Sequence, residues 1–176
     1  MTDDRLRQDP PSGVIIRRAT RADLPAIGSL AALLVKTHHD FDRRRFIAPT
    51  PNTPAGYGSF LGSQLEEPNV VVLVAVEDER VIGYTYAGVE GSDWMSLRGR
   101  AGVLHDILVD AQHRGRGVGR MLLDATAALL KSLGAPQLVL WTAEGNEAAQ
   151  RLFTSAGFRR TMVEMTRDED SSPRAE

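Results

Sequence analysis

Several features are missing from this sequence, and each absence excludes a class of protein. Cysteine does not occur among the 176 residues, so they can form no disulfide, thiolate metal site or cysteine nucleophile. The longest apolar run, residues 70–76, is far shorter than the roughly 20 residues of a membrane-spanning helix. The first 13 residues lack the apolar stretch of a signal peptide. We therefore expect a cytoplasmic protein with no membrane partner.

No charge of one sign dominates the sequence. Its 21 lysine and arginine residues face 23 aspartate and glutamate residues, which gives a formal net charge of −2. A global basic field that would attract nucleic acid is therefore absent, and we expect no nucleic-acid partner. Any anion site in this protein has to be local.

Length and composition indicate a single domain. A chain of 176 residues with 42% apolar residues is long enough to bury one core and short for two. Residues 1–13 and 167–176 are polar and show no periodicity. We expect both to be disordered tails flanking a domain at 14–166.

Within this domain, hydrophobic periodicity and turn residues predict alternating strands and helices. The predicted order is a strand at 14–16, a helix at 23–34, a loop at 36–60 with a short helix to about 65, two strands within 70–90 joined by Asp78-Glu79, a loop at 91–100, a strand at 102–109, a helix at 118–133, a strand at 138–141, a helix at 147–156 and a strand at 158–165. The fold class is α/β with a mixed, mostly antiparallel sheet. A parallel crossover is needed only between the strands that flank the helix at 118–133, and the apolar strand at 70–76 is expected at the sheet's centre.

The segment RGRGVG at 114–119 lies between a predicted strand and a predicted helix. The first turn of a helix leaves N–H groups unpaired, and the helix dipole adds positive potential there, so glycines at this point form an anion site. No lysine follows as in a Walker loop, and the spacing differs from a dinucleotide fingerprint. A plain turn with solvated arginines is the alternative that this segment alone leaves open.

A second segment, NEAAQRLFTSAGF at 146–158, narrows the interpretation. Together with RGRGVGRMLL it resembles the GNAT superfamily of N-acetyltransferases, whose pattern is Q/R-x-x-G-x-G/A followed by N-x-x-A-x-x-L-Y-x-x-x-G-F. The resemblance implies the GNAT-like fold, with helices on both faces of the sheet, and acetyl-CoA as co-substrate. It further implies that pyrophosphate is held by Arg114, Gly115, Arg116, Gly117, Val118, Gly119 and Arg120, and the pantetheine arm by Ile107, Leu108, Val109 and Asn146.

His105 occupies the strand position at which similar family members carry a glutamate or histidine proposed as general base. An imidazole suits the removal of a proton from an ammonium group at neutral pH. A histidine held by ordinary core or loop contacts is the alternative. Strand alternation places Asp106 on the opposite face, where a structural role is expected.

The sequence departs from the family pattern at Phe153, where the family often has a tyrosine thought to protonate the CoA thiolate. Phenylalanine has no proton to donate. Tyr84 and Tyr86 are candidates for this task by residue type only, and core packing is the preferred explanation of both. Asn146 also suits a helix N-cap, which is compatible with a cofactor contact.

The acceptor side is less defined. His38, His39, Asp40 and Asp42 could suggest a metal site, because His38 and Asp42 are spaced for one helical face. Two or three ligands on a loop make a poor site, and we expect no metal. We interpret them as a polar wall of the acceptor site, while Trp94 and Trp141 either shape this site or pack. Acidic residues that would favour a cationic amine, unless they are merely solvated, are Asp40, Asp42, Glu90 and Asp93.

The predicted activity is transfer of an acetyl group from acetyl-CoA to an amine by direct attack in a ternary complex. The amine belongs to a small molecule or a peptide, and the sequence does not identify it. Alternatives are another acyl donor, an oxygen acceptor, or a CoA-binding regulatory module without turnover. A homodimer is a further possibility implied by the family resemblance.

Overall fold

The computed structural model describes residues 13–168. The segments predicted to be disordered lie outside this range, apart from Gly13, Arg167 and Asp168. The elements in chain order are β1 Ile15–Arg18, a 3₁₀ turn Arg21–Asp23, α1 Leu24–Phe41, α2 Thr53–Gln64, β2 Val70–Glu77, β3 Arg80–Glu90, β4 Ala101–Val109, a 3₁₀ turn Ala111–His113, α3 Val118–Ser132, β5 Leu138–Leu140 and α4 Glu147–Ser155.

One five-stranded sheet has the order β1-β2-β3-β4-β5. The first three pairings are antiparallel, and only β4 and β5 are parallel, because α3 must carry the chain back across the sheet between them. Asp78 and Glu79 join β2 to β3 with φ of 47° and 62°, the left-handed geometry that a two-residue hairpin turn requires. The predicted mixed sheet with one parallel crossover is confirmed.

Helices cover both faces of the sheet and divide the core in two. Leu122 and Leu130 of α3 belong to one buried cluster, and Ile27 and Leu61 of α1 and α2 belong to the other. The residues of β2 alternate between these clusters, as expected for an apolar strand buried on both faces. The central strand is β3, so the prediction that placed residues 70–76 at the centre is wrong by one position.

Two further predictions about the elements are wrong. Helix α1 continues past its predicted end at Leu34 to Phe41. No residue from 158 to 168 is in a strand, and Met162 and Met165 are 70% and 90% exposed. A strand needs a partner as well as apolar alternation, and no strand of the sheet pairs with this segment. No helix within residues 13–168 is long and apolar enough to cross a membrane.

Candidate functional site

Strands β4 and β5 separate to form a cleft. They pair only where Gly102–Leu104 faces Leu138–Leu140, and β4 then continues to Val109 without β5 beside it. Among the residues that line the cleft are His38, His105, Ile107, Trp141, Asn146 and Phe153. The fold therefore brings together six residues that the sequence singled out in different parts of the chain.

The backbone of β4 offers hydrogen-bonding groups to this cleft. The N–H of Asp110 donates to the carbonyl of Ile82 at 2.9 Å, and antiparallel ladders alternate between paired and outward-facing residues. With the observed register, Leu108 bonds to β3, while both backbone groups of Ile107 and the N–H of Val109 face the open edge. The C=O of Val109 accepts a hydrogen bond from Arg114. The register therefore favours Ile107 and Val109 for backbone contacts with pantetheine, and the contact of Leu108 stays a prediction.

Glycines shape the loop that follows β4. Gly115 and Gly117 have φ of +75° and +83°, a left-handed conformation that costs other residues energy. Gly117 is the N-cap of α3, so the unpaired N–H groups of the first helical turn open at this point. A Cβ at either glycine would meet no atom within 4 Å, which leaves room for a ligand to approach the backbone.

The three arginines of this loop are held by protein groups. Arg114 donates from Nε to the last carbonyl of β4 at 2.9 Å. Arg116 pairs with Glu77 at 2.9 Å and keeps the pKa of that carboxyl below its usual range. Arg120 pairs with Asp124 at 2.8 Å. Each guanidinium keeps further N–H donors, and the unpaired backbone amides at the mouth of α3 are available beside them.

Asn146 has an observed structural role. Its side-chain oxygen accepts a hydrogen bond from the N–H of Ala149 at 3.2 Å and caps α4. The same residue lines the cleft. Its role as a cap is thus shown, and its contact with a ligand stays a prediction.

A β-bulge places His105 at the cleft. Tyr86 pairs with Asp106 and Ala87 pairs with Leu104, so His105 is one residue more than β3 can match. A bulge interrupts the alternation of side chains along a strand. The ring of His105 consequently stacks on that of Tyr86, with 4.9 Å between centroids and 25° between planes.

Asp106 lies on the face that carries Tyr84 and Tyr86, which are two residues apart on β3, and the bulge brings His105 to the same face. The prediction that Asp106 and His105 lie on opposite faces is therefore wrong. Asp106 is buried and accepts hydrogen bonds from the hydroxyls of Tyr57 at 2.6 Å and Tyr84 at 3.1 Å. Burial raises the pKa of Asp106, against the opposing effect of these two bonds.

Tyr84 is fully buried, and its hydroxyl donates a hydrogen bond to the carboxylate of Asp106. Burial and the neighbouring charge of Asp106 raise the pKa of both Tyr57 and Tyr84. A hydroxyl in this setting stays protonated and does not face solvent. Core packing, the second of the two interpretations of Tyr84, agrees with this geometry.

Two residues complete the surroundings of His105. Glu90, the last residue of β3, places Oε1 at 2.9 Å from Nε2 of His105. Its Oε2 lies 2.8 Å from Nη2 of Arg98, whose side chain is only 8% exposed. Arg98 was not predicted from the sequence, because it lies in the loop between β3 and β4 and belongs to no recognisable motif.

The remaining acids on the acceptor side are engaged by the protein itself. Asp40 pairs with Lys36 on the same helix. Asp42 accepts from the N–H groups of Arg44 and Arg45, and Asp93 accepts from the backbone of its own turn. The predicted acidic wall for a cationic amine is thus already neutralised or hydrogen-bonded within the chain.

The two histidines of α1 are also occupied at one nitrogen. Nδ1 of His38 lies 2.9 Å from the carbonyl of Leu34, and Nδ1 of His39 lies 2.9 Å from that of Phe46. Across residues 13–168, no three His, Asp or Glu side chains are grouped so that they could hold a metal ion. Trp94 is 84% exposed at the tip of the β3–β4 loop and does not line the cleft.

Comparisons with known proteins agree with this architecture. An aminoglycoside N-acetyltransferase, AAC(6')-Iy, solved in complex with CoA, superimposes with a TM-score of 0.70 at 20% identity, covering 91% of this chain and 99% of that one. At this identity the likeness shows the fold. An uncharacterized N-acetyltransferase of Bacillus subtilis, YhfO, is 29% identical over 143 residues, which is 81% of this chain and 88% of that protein.

A mycothiol acetyltransferase of Thermobispora bispora is 40% identical over 80 residues, which is 46% of this chain. The match spans only 25% of the length of that protein. The family model described as the acetyltransferase (GNAT) family matches residues 29–158, a range that contains the cleft, the glycine loop and the capped helix α4. This chain therefore belongs to the GNAT family of acetyltransferases.

Proposed function

We propose that this protein transfers an acetyl group from acetyl-CoA to the amine of a small molecule or peptide. The observation that carries the proposal is the continuity of one surface. The outward-facing backbone of Ile107 and Val109 leads at one end to the glycine N-cap of α3 and at the other to His105. A donor bound through its pyrophosphate and its amide arm would then present its thioester near an imidazole.

The donor site fits this molecule in two independent ways. An extended arm containing amides can add to the open edge of β4 as another strand would, since N–H and C=O groups alternate there. A pyrophosphate is stabilised by about 0.3–1 kcal/mol per charge from the dipole of α3, and by the amide hydrogen bonds in addition. Family membership supports the same assignment.

In the proposed reaction His105 removes a proton from the acceptor ammonium group. The neutral nitrogen attacks the thioester carbonyl carbon, so that a C–N bond forms, the C–S bond breaks and sulfur leaves with the electron pair. The nitrogen loses a second proton as the amide forms, so that one of its two protons is taken up by the thiolate and the other is released to solvent. Since the sequence has no cysteine, the transfer is direct and much of the acceleration comes from holding both substrates together.

Two groups are candidates for polarising the thioester carbonyl, the N–H of Ile107 and the N–H of Val109. The N–H of Leu108 is excluded because the ladder directs it to β3. A backbone donor aimed at the developing oxyanion contributes to catalysis without moving. The proton for the thiolate comes from the His105 imidazolium or from water, because Phe153 has none and Tyr84 is bonded to Asp106.

The second candidate function is CoA binding without turnover, which the phenylalanine at 153 favours. The two are separated by measuring thiol release from acetyl-CoA with a panel of an aminoglycoside, L-amino acids and a dipeptide. Binding of acetyl-CoA by calorimetry with no thiol release for any amine would contradict the proposed activity.

Replacement of His105 tests the proposed base. For His105→Ala we expect kcat to fall about 10²- to 10⁴-fold, with loss of the acid limb of the pH profile and little change in KM for acetyl-CoA. His39→Ala removes a ring that contacts the carbonyl of Phe46 in the loop after α1 and does not line the cleft, and it is the matched control. Equal kinetics for His105→Ala and wild type would exclude His105 as the base.

A further inference from the structure

Glu90 connects a buried arginine to the proposed base, and the family motif assigns it no role. We propose that Glu90, held in place by Arg98, is a positioning residue that fixes the orientation and tautomer of His105. This inference rests on the proposed function. It identifies which ring nitrogen accepts the proton and what stabilises the charge that follows.

The tautomer follows from hydrogen-bond chemistry. An ionised carboxylate only accepts hydrogen bonds, and Oε1 of Glu90 lies 2.9 Å from Nε2 of His105. Nε2 must therefore carry the hydrogen when the ring is neutral. The lone pair is then on Nδ1, which is the atom that can take a proton from the acceptor amine.

Arg98 determines where the carboxylate of Glu90 lies. Nη2 of Arg98 donates a hydrogen bond to Oε2 of Glu90 at 2.8 Å, so that Oε1 of Glu90 is available to His105. The arginine is itself fixed, because its side chain is 8% exposed and its backbone exchanges two hydrogen bonds with Asp93, at 2.8 and 2.9 Å. Arg98 of the β3–β4 loop thus orients Glu90, and Glu90 in turn orients His105.

The orientation of the ring has a second support. Tyr86 stacks beneath the imidazole, and a ring held by a face contact and an edge hydrogen bond has little freedom to rotate. Tyr86 and Glu90 both come from β3, so one rigid strand defines the plane and the direction of the base. This is the arrangement of base and orienting acid that proton-transfer sites generally need.

The charges around the ring explain what Glu90 does during the reaction. Proton uptake at Nδ1 turns His105 into an imidazolium, while Arg98 stays positive and Glu90 stays negative. The other titratable groups near the ring are Tyr86, His38 from α1 and Asp106 from β4. Asp106 is directed toward its tyrosine partners, so Glu90 is the anion in direct contact with the new positive charge.

Two measurements on the full chain test this inference. In ¹⁵N-histidine NMR at pH 8 without any ligand, we expect His105 to carry its hydrogen on Nε2. In acetyl transfer with the best amine of the panel, we expect Glu90→Gln to lower kcat about 10- to 100-fold, less than full removal of a base. Its acid limb should move to lower pH, because the imidazolium loses the neighbouring charge.

Matched variants separate positioning from folding. Glu79→Gln makes the same change at the opposite end of β3, and we expect kinetics equal to wild type. Arg98→Lys keeps the charge but not the forked donor, and should lower kcat less than Glu90→Gln does. Circular dichroism and thermal melting establish that each variant is folded before its kinetics are compared.

The outcomes distinguish this inference from the proposed function. A hydrogen on Nδ1 of His105, or a folded Glu90→Gln variant with the wild-type kcat and pH profile, would overturn the positioning role while acetyl transfer stands. A wild-type protein that binds acetyl-CoA and acetylates no amine would overturn the proposed function, and with it the role of His105 as a base.

Discussion

Asp106 is a buried carboxylate that lies opposite Tyr86 in the ladder between β3 and β4, on the face that carries Tyr84. Tyr57 of α2 donates a hydrogen bond to the same carboxylate, as Tyr84 does. A hydrogen bond to an ionised group contributes about 1.5–3 kcal/mol to stability. The two tyrosines therefore offset part of the cost of burying this charge beside the proposed base.

Replacing Tyr57 by phenylalanine removes one of the hydrogen bonds that offset the burial of the Asp106 charge. The protein should therefore lose stability in a pH-dependent manner. Burial already raises the pKa of Asp106 in the folded protein, so its ionisation costs stability as pH rises through the folded pKa. Tyr57→Phe raises that pKa further. We expect a loss of about 1.5–3 kcal/mol at pH 8, measured by urea unfolding, which shrinks as pH falls and Asp106 becomes protonated in both proteins.

Tyr86→Phe is the control for that measurement, because the structure shows no hydrogen bond from the Tyr86 hydroxyl to Asp106. Its stability difference from wild type should be small and independent of pH. A loss in Tyr57→Phe that is equally large at low and high pH would mean that the hydroxyl serves packing or a neutral bond instead.

The sequence identified His105 as a candidate base but did not predict its contact with Glu90 or the role of Arg98. The position of His105 relative to RGRGVG is a local spacing, and local spacings survive in the fold. The bulge at His105 is not visible in the apolar pattern of VLHDILV. Simple alternation therefore predicts opposite faces for His105 and Asp106, which the structure places on the same face. Arg98 and Glu90 meet His105 only through the register of β3 and β4, which a single sequence does not contain.

Among the elements, the loop between β4 and α3 depends most on backbone conformation. Gly117 is the N-cap of α3 with φ of +83°, and an L side chain there costs about 1–2 kcal/mol. We expect Gly117→Ala to fold with this loss of stability. Its KM for acetyl-CoA should rise at least tenfold, because the added methyl group stands where the backbone must approach a pyrophosphate.

Gly157 provides the matched comparison for Gly117. It has φ of +89° and, like Gly117, no atom within 4 Å of an added Cβ, but it follows α4 instead of opening the phosphate loop. Gly157→Ala should cost similar stability and leave KM for acetyl-CoA within about twofold. Equal rises of KM in the two variants would show that loss of stability, and not the loop, weakens binding.

Elements with strong local signals were predicted well, and elements that depend on a partner were not. The glycine loop, the capped helix α4 and the hairpin at Asp78-Glu79 each carry their own turn or cap residues. The segment 158–165 has apolar residues suited to a strand, but no strand of the sheet pairs with it. It is instead linked to the loop after α1, where Arg45 pairs with Glu164 and Arg44 with Asp168.

At the scale of the whole molecule, the sheet is continuous from β1 to β4 and only weakly joined to β5. Three residue pairs connect β4 to β5, and beyond them the cleft separates β4 from the start of α4. A ligand bound along the edge of β4 would contact both sides of this opening. It should therefore stabilise the β5–α4 region together with the rest of the sheet, by about 2.7 kcal/mol at a concentration 100 times its Kd.

Hydrogen exchange with and without CoA tests this arrangement amide by amide. In the free protein we expect the amides of Ile107 and Val109 to exchange rapidly, because they face the open edge, and that of Leu108 slowly, because it bonds to β3. Saturation with CoA should slow Ile107 and Val109 far more than the buried amide of Val74 in β2, which reports global stabilisation alone. Leu108 should change only as much as Val74 does. If Ile107 and Val109 exchanged at the same rate with and without bound CoA, the ligand could not lie along β4 as a further strand.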